Sequence, residues 1–405
     1  MAQLKGMAYL KRKLAIKQER VDLRYKHYEM KHLAKDMGIS TPQELRHMKA
    51  ILGWCGMAVD KLADRLVFRE FRDDNFDLTE IYLLNNSDVL LDSAVLSALI
   101  GSCSFIYISQ DENKFPKLQV IDGRNATGEI DNQTGLLTEG YAVLQRDSDT
   151  DVATLEAYFI PGRTYFYSYG KLIRVSTYKA DYPMLVPIIN RPDAKRPFGH
   201  SRISRACMYL ADAAARTLLR SEITAEFYSF PQKWATGTHP EKEEINTWRA
   251  AVSYMLTFDR DEDGEHPVLG QFTQQSTQPH IDQLKMFASA FAGETGLTLD
   301  DLGFPQDNPS SVEAIKAAHE SLRLTSRKAQ RTFGTGFLNA GYLAACIRDD
   351  YAYKRSAIYM TKPIWEPVFE PDAAALSGIG DAVLKLNQAI DGYVTEEKMR
   401  DMTGF

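Results

Sequence analysis

Residues 201–229 and 310–347 each carry apolar side chains at helical intervals, without an internal proline to break them. At about 1.5 Å per residue the first of these spans about 42 Å, long for a compact domain. Helices of that length need lateral partners, and one chain supplies few, so the pattern predicts an elongated subunit that packs against copies of itself. A shorter helical segment, 280–292, follows a mixed insert over 231–279. Between 103 and 178 the period changes. Phe105–Ile108 is a continuous apolar run, and stretches near 118–121, 137–146, 152–160, 163–168 and 171–178 are rich in Val, Ile, Leu and Tyr. They are separated by turn residues such as Gly123, Pro161-Gly162 and Tyr169-Gly170, as in an antiparallel meander. The fold class expected is α+β, predominantly helical.

Residues 4–70 read as helical with a break near Gly38–Pro42. Thr41, Pro42 and Glu44 have the spacing of a capping box for a helix bearing Leu45, Met48, Leu52, Val59, Leu62 and Leu66. A further helix is expected over 87–100, and Ser201 is positioned to cap the 201–229 helix. Beyond 349, one strand-like stretch (Ala357–Met360) precedes one or two short helices.

At 405 residues the chain exceeds what one core usually serves. Its net charge of −6 argues against a protein that works by gripping DNA phosphates. The charge is uneven: residues 1–50 hold 12 Lys/Arg against 5 Asp/Glu, and the remainder is correspondingly acidic. The four cysteines are far apart, with no metal-like spacing. No apolar run reaches 18 residues, so no membrane span is expected, nor is a signal peptide, and a cytoplasmic origin follows.

No phosphate-binding loop, dinucleotide fingerprint, nucleophile elbow or H-E-x-x-H occurs, so the expectation is no enzyme, no cofactor and no metal. Asp259, Asp261 and Asp263 imitate the start of an EF-hand loop, but Gly270 stands where its bidentate Glu belongs. They read as a solvated acidic turn. With Glu241, Glu243 and Glu244 they make the insert acidic, a docking face for basic partners. The eight histidines form no i, i+4 ligand pair with a carboxylate. On the 310–347 helix, Lys316, Arg323, Arg327 and Arg331 fall on one face with Glu320 among them. Ile315, Leu322, Ala329, Phe333 and Phe337 form a separate apolar stripe. The basic face either is simply solvated or borders a polyanion path or a neighbouring subunit. Before it lies a polar, turn-forming loop, Gln306-Asp307-Asn308-Pro309-Ser310-Ser311, with Ser310 and Glu313 as a capping box.

Asp307-Asn308-Pro309-Ser310-Ser311-Val312-Glu313-Ala314-Ile315 resembles a segment of tailed-phage portal proteins, the family typified by a portal from a Bacillus siphophage. Phe291-Ala292, Thr295-Gly296-Leu297 and Leu302-Gly303 are similar to the approach to that segment. Arg196-Pro197-Phe198-Gly199-His200-Ser201-Arg202-Ile203 is similar to the entry into the first long helix, and Trp54 with Val59-Asp60, Leu62-Ala63 and Arg65-Leu66 also fits. The matches run in order across roughly residues 25–340. The resemblance implies a portal fold: a wing (1–200), stem helices (201–230 and 280–303) and a clip (231–279). It continues with a tunnel loop (304–311), a kinked tunnel helix (312–347), a return to the wing (348–370) and a small crown (371–405). It further implies a ring, generally dodecameric, at a capsid vertex of the virion, passing double-stranded DNA. The implied partners are terminase, a head-completion adaptor, and the major capsid and scaffold proteins. The alternative is a nucleic-acid-binding or adaptor protein of a mobile element with similar helices and no channel. A hydrolase using the acidic turn is a third, weaker reading.

Overall fold

The computed structural model describes residues 4–35, 47–229, 233–236, 268–271, 276–305, 312–369 and 373–403. Helix α1 (Met7–Tyr28) leads, followed by α2 (Trp54–Ala63), β1 (Phe68–Arg72), α3 (Leu78–Leu83) and α4 (Ser87–Gly101). Two sheets come next. Strands β2 (Cys103–Gln110), β3 (Pro116–Ile121) and β9 (Leu185–Ile189) form one, with β2 in the middle. Strands β4 (Ala126–Ile130), β5 (Leu137–Arg146), β6 (Ala153–Ile160), β7 (Arg163–Ser168) and β8 (Lys171–Thr177) form the other, an antiparallel meander in chain order.

The continuous apolar run of β2 has a direct cause. Its residues from Cys103 to Ile108 are all buried, because α4 packs on the three-stranded sheet and a long helix, α8 (Glu320–Arg348), also packs on it. A strand covered on both faces has no use for polar alternation. Alternation returns in β3, where buried Pro116 and Leu118 are separated by exposed Lys117 and Gln119.

The second half is helical. α5 (Arg205–Ser229) pairs along its length with α6 (Gln278–Thr295). Between them, β10 (Lys233–Thr236) and β11 (Val268–Gln271) pair antiparallel. Helix α7 (Val312–Ala318) leads into α8, with the break at His319. The ladder is not cut there: His319 N–H donates to Ile315 O at 3.2 Å and its own carbonyl accepts from Arg323 at 3.0 Å. Strand β12 (Lys362–Trp365) then pairs with β1, joining residues some 290 positions apart. α9 (Ala373–Ala389) and α10 (Glu396–Thr403) close the described chain.

From Phe333 to Ile347, α8 is buried almost without interruption, where it meets α3, β9 and β12. Glycines make this approach possible. A Cβ on Gly334 would lie 2.6 Å from Pro363, and one on Gly336 2.8 Å from Ile188. Phe68, Phe337 and Trp365 stack into the gap between α8 and the β1–β12 pair, with Phe337 and Trp365 centroids 5.9 Å apart.

Several expectations need correction. The helix expected after Thr41 does not run through 47–53; it begins at Trp54, and Thr41, Pro42 and Glu44 lie outside the described residues. Phe68–Arg72 is a strand, so the helical reading of 4–70 fails at 68–70. Ser204, not Ser201, caps α5, accepting from Cys207 N–H at 3.1 Å; Ser201 is drawn away by the carbonyl of Ile100, 2.6 Å from its hydroxyl. Ala357–Met360 is no strand: Arg355–Ile358 is a 3-10 turn, and the strand lies at β12.

Candidate functional site

The two stripes expected on the 310–347 helix separate as their chemistry requires. Leu322, Ala329, Phe333 and Phe337 are buried, whereas Ile315, on α7 before the break, is exposed. Lys316, Arg327 and Arg331 are exposed. Arg323 is different. Its guanidinium donates twice to Glu320 at 2.6 Å, and this pairing holds the carboxyl of Glu320 below its usual range. The positive face is therefore partly self-neutralised. Arg331 stands on the wall of a cleft of about 690 Å³ that α8 forms with Ile130, Pro187 and Pro192. Gln306, Asp307, Asn308, Pro309, Ser310 and Ser311 lie outside the described residues, as do Glu241, Glu243, Glu244, Asp259, Asp261 and Asp263.

Arg196–Ile203, one of the segments that carry the family resemblance, forms a junction that joins α2, α4, α5 and α6. Gly199 has φ +70°, and a Cβ there would sit 2.0 Å from Asn190 O. With no side chain in the way, His200 N–H donates to Asn190 O at 2.9 Å and the Asn190 amide donates to His200 O at 2.8 Å. Arg202 N–H donates to Leu99 O at the end of α4, 2.8 Å away. The Arg202 side chain is 7% exposed. Its Nε donates to Ala58 O in α2 at 3.1 Å, and its terminal nitrogen to Thr295 O, the last residue of α6. Burial lowers its pKa to about 10, which still leaves it charged at neutral pH. The helix end it grips is closed by Gly296 at φ +69°, whose N–H donates to Ala292 O at 2.7 Å. Trp54 packs on Phe291 beside it, centroids 5.5 Å apart. Sequence reasoning gave none of these residues a role. The signal available was an arginine amid a glycine- and proline-bearing turn directly before a long helix.

The basic N-terminal helix lies on the meander. Glu139 is 1% exposed, and its carboxylate accepts from the N–H groups of Lys5 and Gly6, at 2.8 and 3.1 Å, at the positive end of α1. Lys11 pairs with Glu156 at 2.8 Å, and Lys5 and Lys13 pair with Glu129 at 2.9 and 2.6 Å. Burial pushes Glu129 upward, but the two lysines more than offset it and hold the group ionised below its usual range. Leu10 and Leu14 pack on Tyr141 and Val143. The positive charge of the N-terminal helix is thus met, in part, by three glutamates of the meander.

All four cysteines are buried and reduced. Among the described residues, one cluster gathers three ligand-type side chains, His27, His32 and Asp212.

Residues 9–375 match the model of the family described as "Phage portal protein, SPP1 Gp6-like". The chain is 24% identical over 402 residues to the portal protein of Mycobacterium phage D29, covering 94% of this chain and 81% of that one. It is 24% identical over 405 residues to the portal protein of Mycobacterium phage L5, with the same coverage. Its fold matches a chain in a structure titled "Neck of empty GTA particle computed with C6 symmetry", with a TM-score of 0.50 and 14% identity over 91% of this chain and 95% of that chain. The family match spans the N-terminal helix, both sheets, the paired helices and α8, and it decides between the two leading readings of the sequence. The chain belongs to the SPP1 Gp6-like family of phage portal proteins, with an α+β portal fold.

Proposed function

We propose that this chain closes into a ring of about twelve copies at one vertex of a capsid, with α8 directed toward an axial channel for double-stranded DNA. The observation that carries this reading is the family match over residues 9–375. On it we assign residues 1–200 and 348–370 to a wing, 201–230 and 280–303 to a stem, 231–279 to a clip, 304–311 to a tunnel loop, 312–347 to a tunnel helix, and 371–405 to a small crown. The pairing of β12 with β1 supports grouping 348–370 with the first half.

A conduit must let DNA slide, and each phosphate contact made by Lys or Arg strengthens retention. The internal pairing of Arg323 with Glu320 and the net charge of −6 fit low retention. Arg327 and Arg331 are left exposed, to border the DNA path or the adjacent subunit. In this reading the chain performs no chemistry. A terminase motor docks on the acidic clip, a head-completion adaptor follows it, and capsid and scaffold proteins meet the wing. The ring resides in the virion after assembly in the host cytoplasm.

Asn308→Trp tests the channel assignment. The ring is expected to assemble normally, because a loop residue directed at the channel makes few core contacts. Packaged DNA is expected to fall at least tenfold or to stop short of genome length. Full-length packaging in heads bearing intact variant rings would place this loop away from the DNA path.

A further inference from the structure

We propose that His27, His32 and Asp212 form a binding site for a divalent transition-metal ion, zinc above all, that fastens the end of α1 to α5. His27 is the penultimate residue of α1, and the chain reverses directly after it. Met30 takes a left-handed conformation at φ +57°, and the N–H groups of Lys31 and His32 both donate to Lys26 O, at 2.8 and 2.9 Å. This turn brings His32 back onto His27, with ring centroids 4.0 Å apart and planes 19° from parallel. An i, i+5 pair would not meet on a continuous helix, which is why the spacing gave no sign of it. Asp212 then reaches from α5 to the Nε2 edges of both rings, one carboxylate oxygen 3.4 Å from His27 Nε2 and the other 3.4 Å from His32 Nε2.

The orientation of His27 carries the proposal. Its Nδ1 lies 2.9 Å from Leu23 O, a group that can only accept, so Nδ1 carries a proton and donates it. In the neutral ring Nε2 then holds a bare lone pair. That atom is buried, makes no hydrogen bond, and faces a carboxylate. Nε2 can therefore face this carboxylate in two ways: through a second proton, which makes the ring an imidazolium paired with Asp212, or through a metal cation. A backbone carbonyl that fixes the tautomer is also the usual outer support of a metal-bound imidazole. The residue is 7% exposed, so water has little access to the role.

Two imidazoles and one carboxylate suit zinc or its neighbours in the first transition row, not magnesium or calcium, which prefer all-oxygen shells. The three ligand atoms lie within 4.8 Å of one another. A tetrahedral ion would draw all three to around 2 Å from it and tilt the two rings toward it, with a fourth position for water.

The test uses the full-length chain after treatment with chelator. Calorimetric titration with Zn²⁺ is expected to give one tight site per chain, and Co²⁺ in its place the visible absorption of a tetrahedral centre. His32→Ala and Asp212→Asn, neither at a deeply buried position, are each expected to weaken that site at least tenfold and abolish the Co²⁺ spectrum. Mg²⁺ is expected to bind no better to the parent than to the variants. Absence of a tight Zn²⁺ site, or one that both variants retain, would overturn the proposal and leave the three residues as an ion-paired cluster.

Discussion

Replacing Arg202 with Met lowers stability by about 1–3 kcal/mol, the range for taking a donor away from buried acceptors. Two carbonyls, Ala58 O and Thr295 O, lose the guanidinium and stay buried among α2, α5 and α6. Met fills most of the volume, so the loss reports hydrogen bonding more than a cavity. Arg202→Lys is the informative companion. It keeps a charge but has no planar fork to reach two carbonyls in different elements, and it should recover less than half of the loss. The denaturant midpoint at fixed protomer concentration is the measurement, since ring assembly makes apparent stability concentration-dependent. A change below about 1 kcal/mol in the Met variant would mean that the junction is held by packing alone.

Gly199→Ala destabilises by a different route. A left-handed φ costs a residue with Cβ roughly 1–2 kcal/mol. Here the Cβ also meets Asn190 O at 2.0 Å, so the reciprocal Asn190–His200 hydrogen bonds must open as well. The sum expected is about 3 kcal/mol or more. Gly135→Ala is the control: its φ is +73° and nothing lies within 4 Å of the new Cβ, so it should cost only the backbone term. If the two variants melt together, steric closeness at Gly199 is not what fixes the turn.

Local signals account for the parts of this fold that could be read from sequence. The meander from β5 to β8 was legible because its strands follow one another across short turns. The long helices were legible from unbroken periodicity. β9 was not, because Pro187 sits inside it and reads as a terminator. The strand tolerates proline because it is the edge of its sheet, paired only to β2. β1, with the sequence Phe-Arg-Glu-Phe-Arg, finds its partner some 290 residues away, and no local pattern announces such a pairing. β4 contains Gly128, where a Cβ would press on Glu139 O at 2.6 Å; close strand approach selected a residue that lowers strand propensity.

The functional surfaces divide in the same way. Periodicity separated the basic and apolar faces of α8, and the burial of Leu322, Ala329, Phe333 and Phe337 follows it. It could not show that Arg323 spends its charge on Glu320, because a one-dimensional stripe does not reveal rotamers. Nor could it find the junction at Arg202, whose partners come from α2, α4 and α6, or the cluster at Asp212, which joins α5 to the end of α1 and the turn after it. The resemblance marked the Arg196–Ile203 segment as characteristic, and the structure supplies a physical reason: it positions the start of α5 relative to both α4 and α6.

Whether the proposed ring closes around an axial hole is read from electron microscopy of the purified full-length chain. Rings of about twelve subunits are expected in top view, each with a central opening wide enough for a DNA duplex. Monomers or dimers at every concentration tried, or closed assemblies without an axial opening, would contradict the proposal.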